Sequence, residues 1–141
     1  MTKPAPLTPH GNSFSFVDTC DVFEADKRVL GSKWLDPKSP FFEGHFPGRP
    51  LMPGVLLVEC AAQTAGVLWQ IVAKAGARTP LFLAQVGQFR FLKSVLPGQT
   101  VQIEVVLEKE LGSLAQFSAT IWVSRDMVAQ GVFVLSRDQN K

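Results

Sequence analysis

Hydrophobic and polar positions along this chain change their period twice. Phe14, Phe16 and Asp18 alternate across 13–20, which predicts a short strand. The polar run Glu24-Ala25-Asp26-Lys27 predicts a turn before a second extended segment, 28–34. Further on, 55–73 is apolar almost without interruption for 19 residues, too long for a strand and continuous enough for a buried helix. Pro53-Gly54 suits its start, Lys74 its last turn and Gly76 a C-cap, giving a helix roughly 30 Å long. After it the period returns to two. The segments 81–91, 100–110, 114–124 and 127–137 read as strands, divided by Leu96-Pro97-Gly98, Leu111-Gly112-Ser113 and Arg125-Asp126. These connections are short enough for antiparallel neighbours. The order is strands, one long helix, then four strands. A helix apolar on nearly every side needs a sheet curved around it, so the fold class is α+β, with one buried central helix wrapped by an antiparallel sheet.

Length and composition narrow this further. A chain of 141 residues makes one ordinary domain, read as 13–141 after a flexible leader at 1–12. It is 46% hydrophobic and 18% charged, apolar-heavy for its size, which points to burial against another subunit. A net charge of +2, with no Lys/Arg cluster, gives no footprint for nucleic acid. Two cysteines, Cys20 and Cys60, supply neither a disulfide framework nor a zinc motif. Residues 1–12 contain three prolines and no apolar core of signal-peptide length, so a cytoplasmic location is expected. The run 55–73 carries Glu59, Gln63, Thr64 and Gln70 and follows a Pro/Gly loop, which fits a core helix rather than a membrane span.

Chemistry concentrates between these elements. Five prolines and three glycines punctuate 37–54, yet Phe41, Phe42, His45 and Phe46 are interleaved with them, a stiff loop of the kind that carries function. His45 stands fourteen residues before Glu59, which lies one and a half turns into the helix. Gln63, Gly66 and Gln70 share the face of Glu59. A loop histidine is ordinarily structural, and His10 in the leader fits that description. A Glu in the first turns of a helix ordinarily faces solvent and favours the helix dipole. Here the neighbours Val55, Leu56, Val58, Cys60, Ala61 and Ala62 leave little room for a solvated face. A carboxyl among apolar groups loses hydration in its charged form, so its pKa is expected to rise, as a general acid requires. Gly54, at the helix start, offers backbone N–H groups that polarise a carbonyl and stabilise an enolate. A base, an acid and an oxyanion site together suit proton abstraction beside a carbonyl, with a second proton given to a leaving group.

The segment FFEGHFPGRPLMPGVLLVECAAQ (41–63) resembles the active-site signature of the FabZ-type 3-hydroxyacyl-(acyl-carrier-protein) dehydratases, close to GHFPG-x-P-x-x-PGV-x-x-x-E-x-x-AQ. The match runs through Gly44, His45, Phe46, Pro47, Gly48, Pro50, Pro53, Gly54, Val55, Glu59, Ala62 and Gln63, with weaker similarity across 13–137. The resemblance implies a hotdog fold and dehydration of a (3R)-3-hydroxyacyl thioester to the trans-2-enoyl thioester. His45 would take the α-proton, Glu59 would protonate the departing hydroxyl, and the Gly54 amide would hold the thioester carbonyl. Phe46 and Gln63 fall among the substrate-binding positions. Phe89 and Phe91 either line an acyl tunnel or pack the core. The resemblance implies no cofactor or metal, an acyl carrier protein as partner, and a homodimer with sites shared between subunits, sometimes assembled into a hexamer. The dehydratase/isomerase branch has Asp where this chain has Glu59, which disfavours isomerisation. A hotdog thioesterase and a non-catalytic acyl-binding scaffold are the alternatives.

Three positions depart from the family pattern: Thr19 after Val17-Asp18, Ser94 before Val95, and Gln99 after Pro97-Gly98. Trp34, Trp69 and Trp122 read as core or subunit-interface residues. Cys60 reads as a small buried filler.

Overall fold

The computed structural model describes residues 16–24, 27–39, 42, 52–73 and 81–137. They form β1 (Thr19–Glu24), β2 (Arg28–Trp34), α1 (Gly54–Ala73), β3 (Phe82–Val86), β4 (Arg90–Phe91), β5 (Thr100–Leu111), β6 (Leu114–Val123) and β7 (Asp126–Ser136). Every strand pairing is antiparallel. The sheet runs β1-β2-β5-β6-β7-β3, with β4 also paired to β7. The long helix packs on β1, β2, β5, β6 and β7, the hotdog arrangement expected from the sequence.

Period two places one face of each long strand on the helix. Val101, Ile103, Val105 and Leu107 of β5 and Ala115, Phe117, Ala119 and Ile121 of β6 are buried, while their neighbours point away. Small residues on α1, Ala61 and Ala65, let the sheet approach closely, and Trp69 fills the space near its far end. The Trp69 ring meets Phe117 edge-on at 6.1 Å, and Phe117 stacks on Phe133 at 5.6 Å. The indole N–H donates to Glu110 Oε2 at 2.8 Å, and the Arg137 guanidinium lies 4.4 Å from the ring centroid. A polar handle buried in the core is thereby satisfied. Trp34, by contrast, is half exposed, and Trp122 lies on the outer side of β6, partly buried.

Two expectations about strands are corrected. Of the strand placed at 13–20, residues 13–15 lie outside the described residues; within the rest, pairing begins at Thr19 and continues to Glu24, which the polar run had assigned to the turn. Asp18 explains the late start: its Oδ2 accepts the Trp34 N–H at 2.7 Å and its Oδ1 takes Lys33 Nζ at 3.3 Å. A side chain that satisfies the neighbouring backbone substitutes for the ladder at that point. The single strand read across 81–91 is two strands, so the sheet has seven rather than six. Between them the Gly87 N–H donates to the Val132 carbonyl at 2.8 Å, and Phe89 is driven against Gly131. A Cβ on Gly131 would stand 2.6 Å from the Phe89 Cα and closer still to its ring, so the break requires glycine there.

The departure at Gln99 has a physical reading. Its Oε1 accepts the Leu96 N–H at 2.8 Å and closes the turn before β5.

Cys20 and Cys60 are both buried, and burial above all pushes each thiol up to about 12; Asp21 adds to the effect at Cys20. Both are expected to react with a thiol reagent only as fast as the protein unfolds. The raised values favour the neutral thiol, so their contribution to stability is whole below the unfolded thiol range near 9 and is lost as pH rises toward 12. Denaturation followed between those limits should show falling stability. Rapid labelling of the native protein at neutral pH would contradict the burial.

Candidate active site

Glu59 and Gln63 lie one helical turn apart on α1, as their spacing requires. Gln63 is 4% exposed, and its amide takes part in bonds of opposite sense. Its Oε1 accepts the Phe16 backbone N–H at 2.8 Å, and its Nε2 donates to Glu59 Oε2 at 2.9 Å. Losing the first bond would strand a buried N–H at a cost of about 1–3 kcal/mol. Glu59 itself is only partly buried in the single chain. The apolar neighbours along the helix sit on other faces and do not enclose it. Gln70 is buried further along the same stripe.

Gly54 stands at the other end of the chemistry. The first bonds at the helix start run from the Leu56 and Leu57 N–H groups to the Pro53 carbonyl, at 3.0 and 3.4 Å. Among the described residues the Gly54 and Val55 N–H groups have no acceptor, and they sit at the positive end of a twenty-residue helix. The Phe91 ring closes over this point, 3.1 Å from where a Gly54 Cβ would be, so a side chain there would push the half-exposed ring aside. A cavity of about 390 Å³ opens here, lined by Gly54, Leu57, Phe91 and Lys93 among others. Phe89 lies behind, its ring 5.5 Å from that of Phe91, and packs against the core. His45 and Phe46 lie outside the described residues, as do the leader at 1–12 and Gly76.

Helical geometry separates these two ends. At about 100° per residue, Glu59 points about 140° away from Gly54 around the helix axis. Gly54 opens into the cavity under Phe91, whereas Glu59 and Gln63 face the segment at Phe16. Glu59 is not among the residues that line the cavity at Gly54.

Apolar surface is exposed at the helix start and along β3 and β4. The helix is buried from Leu57 to Gln70 apart from Glu59, so the sheet covers more of it than its sequence suggests. Among the exposed apolar side chains are Val55 at the helix start, Leu83 and Val86 on β3, Phe91 on β4 and Leu92 just after it. β3 ends the sheet on this side, and among the described residues no strand pairs with its outer edge.

A single long helix against an antiparallel sheet, with Glu59 on its polar stripe and, among the described residues, N–H groups without an acceptor at its start, defines a hotdog-fold protein. A family model described as a FabA-like domain matches residues 8–132. The chain is 37% identical over 136 residues to a 3-hydroxyacyl-(acyl-carrier-protein) dehydratase FabZ of Rickettsia akari, covering 94% of this chain and 92% of the relative. It is 35% identical over 124 residues to a bifunctional enzyme LpxC/FabZ of Chlorobaculum tepidum, spanning 88% of this chain and 27% of that longer protein. In fold it is similar to a chain of the dehydratase heterocomplex ApeI:P from Xenorhabdus doucetiae, with a TM-score of 0.82, 16% identity, and coverage of 99% of this chain and 93% of the other. The chain belongs to the FabA-like family and, within it, to the FabZ-type dehydratases.

Sequence reasoning reached Glu59, Gln63 and Gly54 but not the tie between Gln63 and Phe16. A backbone N–H 47 residues away leaves no trace in residue spacing.

Proposed function

We propose that the protein dehydrates (3R)-3-hydroxyacyl thioesters on acyl carrier protein to trans-2-enoyl thioesters, in fatty acid synthesis or a related acyl-chain pathway. The observation that carries this reading is the pairing of a helix-start N–H site at Gly54 with a carboxylate stripe at Glu59 inside the dehydratase signature. The relatives matched over most of their length bear dehydratase names, which favours elimination over thioester hydrolysis.

The thioester carbonyl rests at the Gly54 N–H, where enolate charge is stabilised as it develops. His45 removes the α-proton. The released electron pair forms the Cα–Cβ double bond as the C3–O bond breaks, and Glu59 protonates the departing hydroxyl, which leaves as water. Since Glu59 and Gly54 of one chain face apart, the acid comes from a second subunit, and the minimum unit is a homodimer, with a hexamer as a larger assembly. The open β3 edge and the apolar side chains beside it support that contact. Phe91 borders the acyl entrance, Phe46 belongs to the same loop as His45, and the carrier protein delivers the phosphopantetheine arm. No helix among the described residues is long and apolar enough to cross a membrane, and we place the activity in the cytoplasm. Adding a 3-hydroxyacyl thioester to the purified protein and following the ultraviolet absorbance of the enoyl thioester tests the reading. Release of free thiol without enoyl product would point to hydrolysis instead.

A further inference from the structure

Ser94 is one of the positions at which the chain departs from the family pattern, and it lines the cavity of about 390 Å³ at Gly54. The backbone is held on both sides of it. The Leu92 N–H donates to the Val128 carbonyl at 2.7 Å, which fixes the approach to Ser94 on β7. The Val95 carbonyl accepts the Met52 N–H at 2.8 Å, which fixes the exit beside the helix start. Between these ties the Ser94 N–H and hydroxyl have no partner among the described residues. Two donors are thus presented without serving the fold, and a donor already held in place loses little freedom when it is engaged.

The cavity has two kinds of wall. Met52, Leu57 and Val95 are apolar and buried, whereas Lys93 and Ser94 are exposed at the rim. Lys93 Nζ is engaged by Asp126 Oδ1 at 3.3 Å. With the Gly54 N–H given to the thioester carbonyl, Ser94 supplies the donors left at the rim. An acyl chain leaves water for the buried apolar wall. The pantetheine arm stays at the rim, where its amide carbonyls lose water and need a donor. We propose that Ser94 is a specificity-determining residue that hydrogen-bonds an amide carbonyl of the pantetheine arm. This rests on the proposed dehydration of an acyl thioester carried on that arm. The contact is the same before and during the reaction, so it acts on binding and leaves the chemical step alone.

Ser94→Ala removes the hydroxyl. Ser94→Pro removes the hydroxyl and the N–H, and breaks no bond among the described residues. Both are assayed beside wild type on two (3R)-3-hydroxyhexanoyl thioesters, one of pantetheine and one of propanethiol, which has no amide. Binding of S-hexylpantetheine, which cannot be dehydrated, is measured by calorimetry, and thermal midpoints are recorded. On the pantetheine thioester KM is expected to rise about fivefold in Ser94→Ala, the effect of one neutral hydrogen bond, and further in Ser94→Pro, with kcat unchanged. The Kd of S-hexylpantetheine should rise by the same factors, while the propanethiol thioester and the midpoints keep their wild-type values. Unchanged KM and Kd for the pantetheine compounds would overturn the inference. Equal losses on both thioesters would overturn it in favour of a contact to the acyl chain, or of a structural role where the midpoint also falls. A wild type that forms no enoyl product, yet binds S-hexylpantetheine in a way that depends on Ser94, would overturn the proposed dehydration and leave the arm contact standing.

Discussion

Glu59→Gln is expected to fold and bind substrate but to lose dehydration by about 10²–10⁴-fold, the range for removing a general acid. The replacement is nearly isosteric, and its amide oxygen can still accept the Gln63 N–H that Oε2 accepts at 2.9 Å. What it lacks is a proton acidic enough to pass to a hydroxide-like leaving group. The loss should appear in kcat with KM little changed, the signature of an interaction made only in the transition state. Steady-state kinetics on a 3-hydroxyacyl thioester read this directly. Comparable turnover in Glu59→Gln and the parent would place the acid elsewhere.

A second large effect is a recovery. His45→Ala and Glu59→Gln chains, each inactive alone, are expected to regain activity when unfolded and refolded together. Glu59 points about 140° away from Gly54 on the same helix, and in the proposed shared site the acid beside one chain's helix start comes from the other chain. In a mixed dimer one site collects both defects, and the other combines an intact His45 with an intact Glu59. Random pairing makes half the dimers mixed, each with one good site of two, so activity should approach about a quarter of wild type under isologous two-fold pairing. A refolded mixture shown by mass spectrometry to hold mixed dimers yet inactive would contradict the shared site while leaving the choice of catalytic residues intact.

Much of the fold could be read from periodicity, because long strands with one buried face announce themselves. β2, β5, β6 and β7 fall within a residue or so of the runs that predicted them. The misread elements were those whose bounds depend on contacts distant in sequence. β1 starts late because Asp18 bonds Trp34 and Lys33, and the run 81–91 breaks because Phe89 meets Gly131. The candidate site was legible for a different reason: a stiff Pro/Gly loop and a carboxyl in an apolar helix are local anomalies. The surroundings of Glu59 were not legible. Apolar neighbours in sequence suggested an enclosed carboxyl, yet on a helix they occupy other faces, and the side chain is left partly open in the single chain. The tie of Gln63 to the backbone at Phe16 was hidden for the same reason as the break in the strand.

The most direct test of the account compares wild-type protein with His45→Ala on one (3R)-3-hydroxyacyl thioester, recording enoyl absorbance and thiol release together. The account predicts enoyl product without thiol release from the wild type, and a rate about 10²–10⁴-fold lower in a His45→Ala protein that keeps its oligomeric state. Near-wild-type dehydration by His45→Ala, or thiol release in place of enoyl product by the wild type, would contradict it.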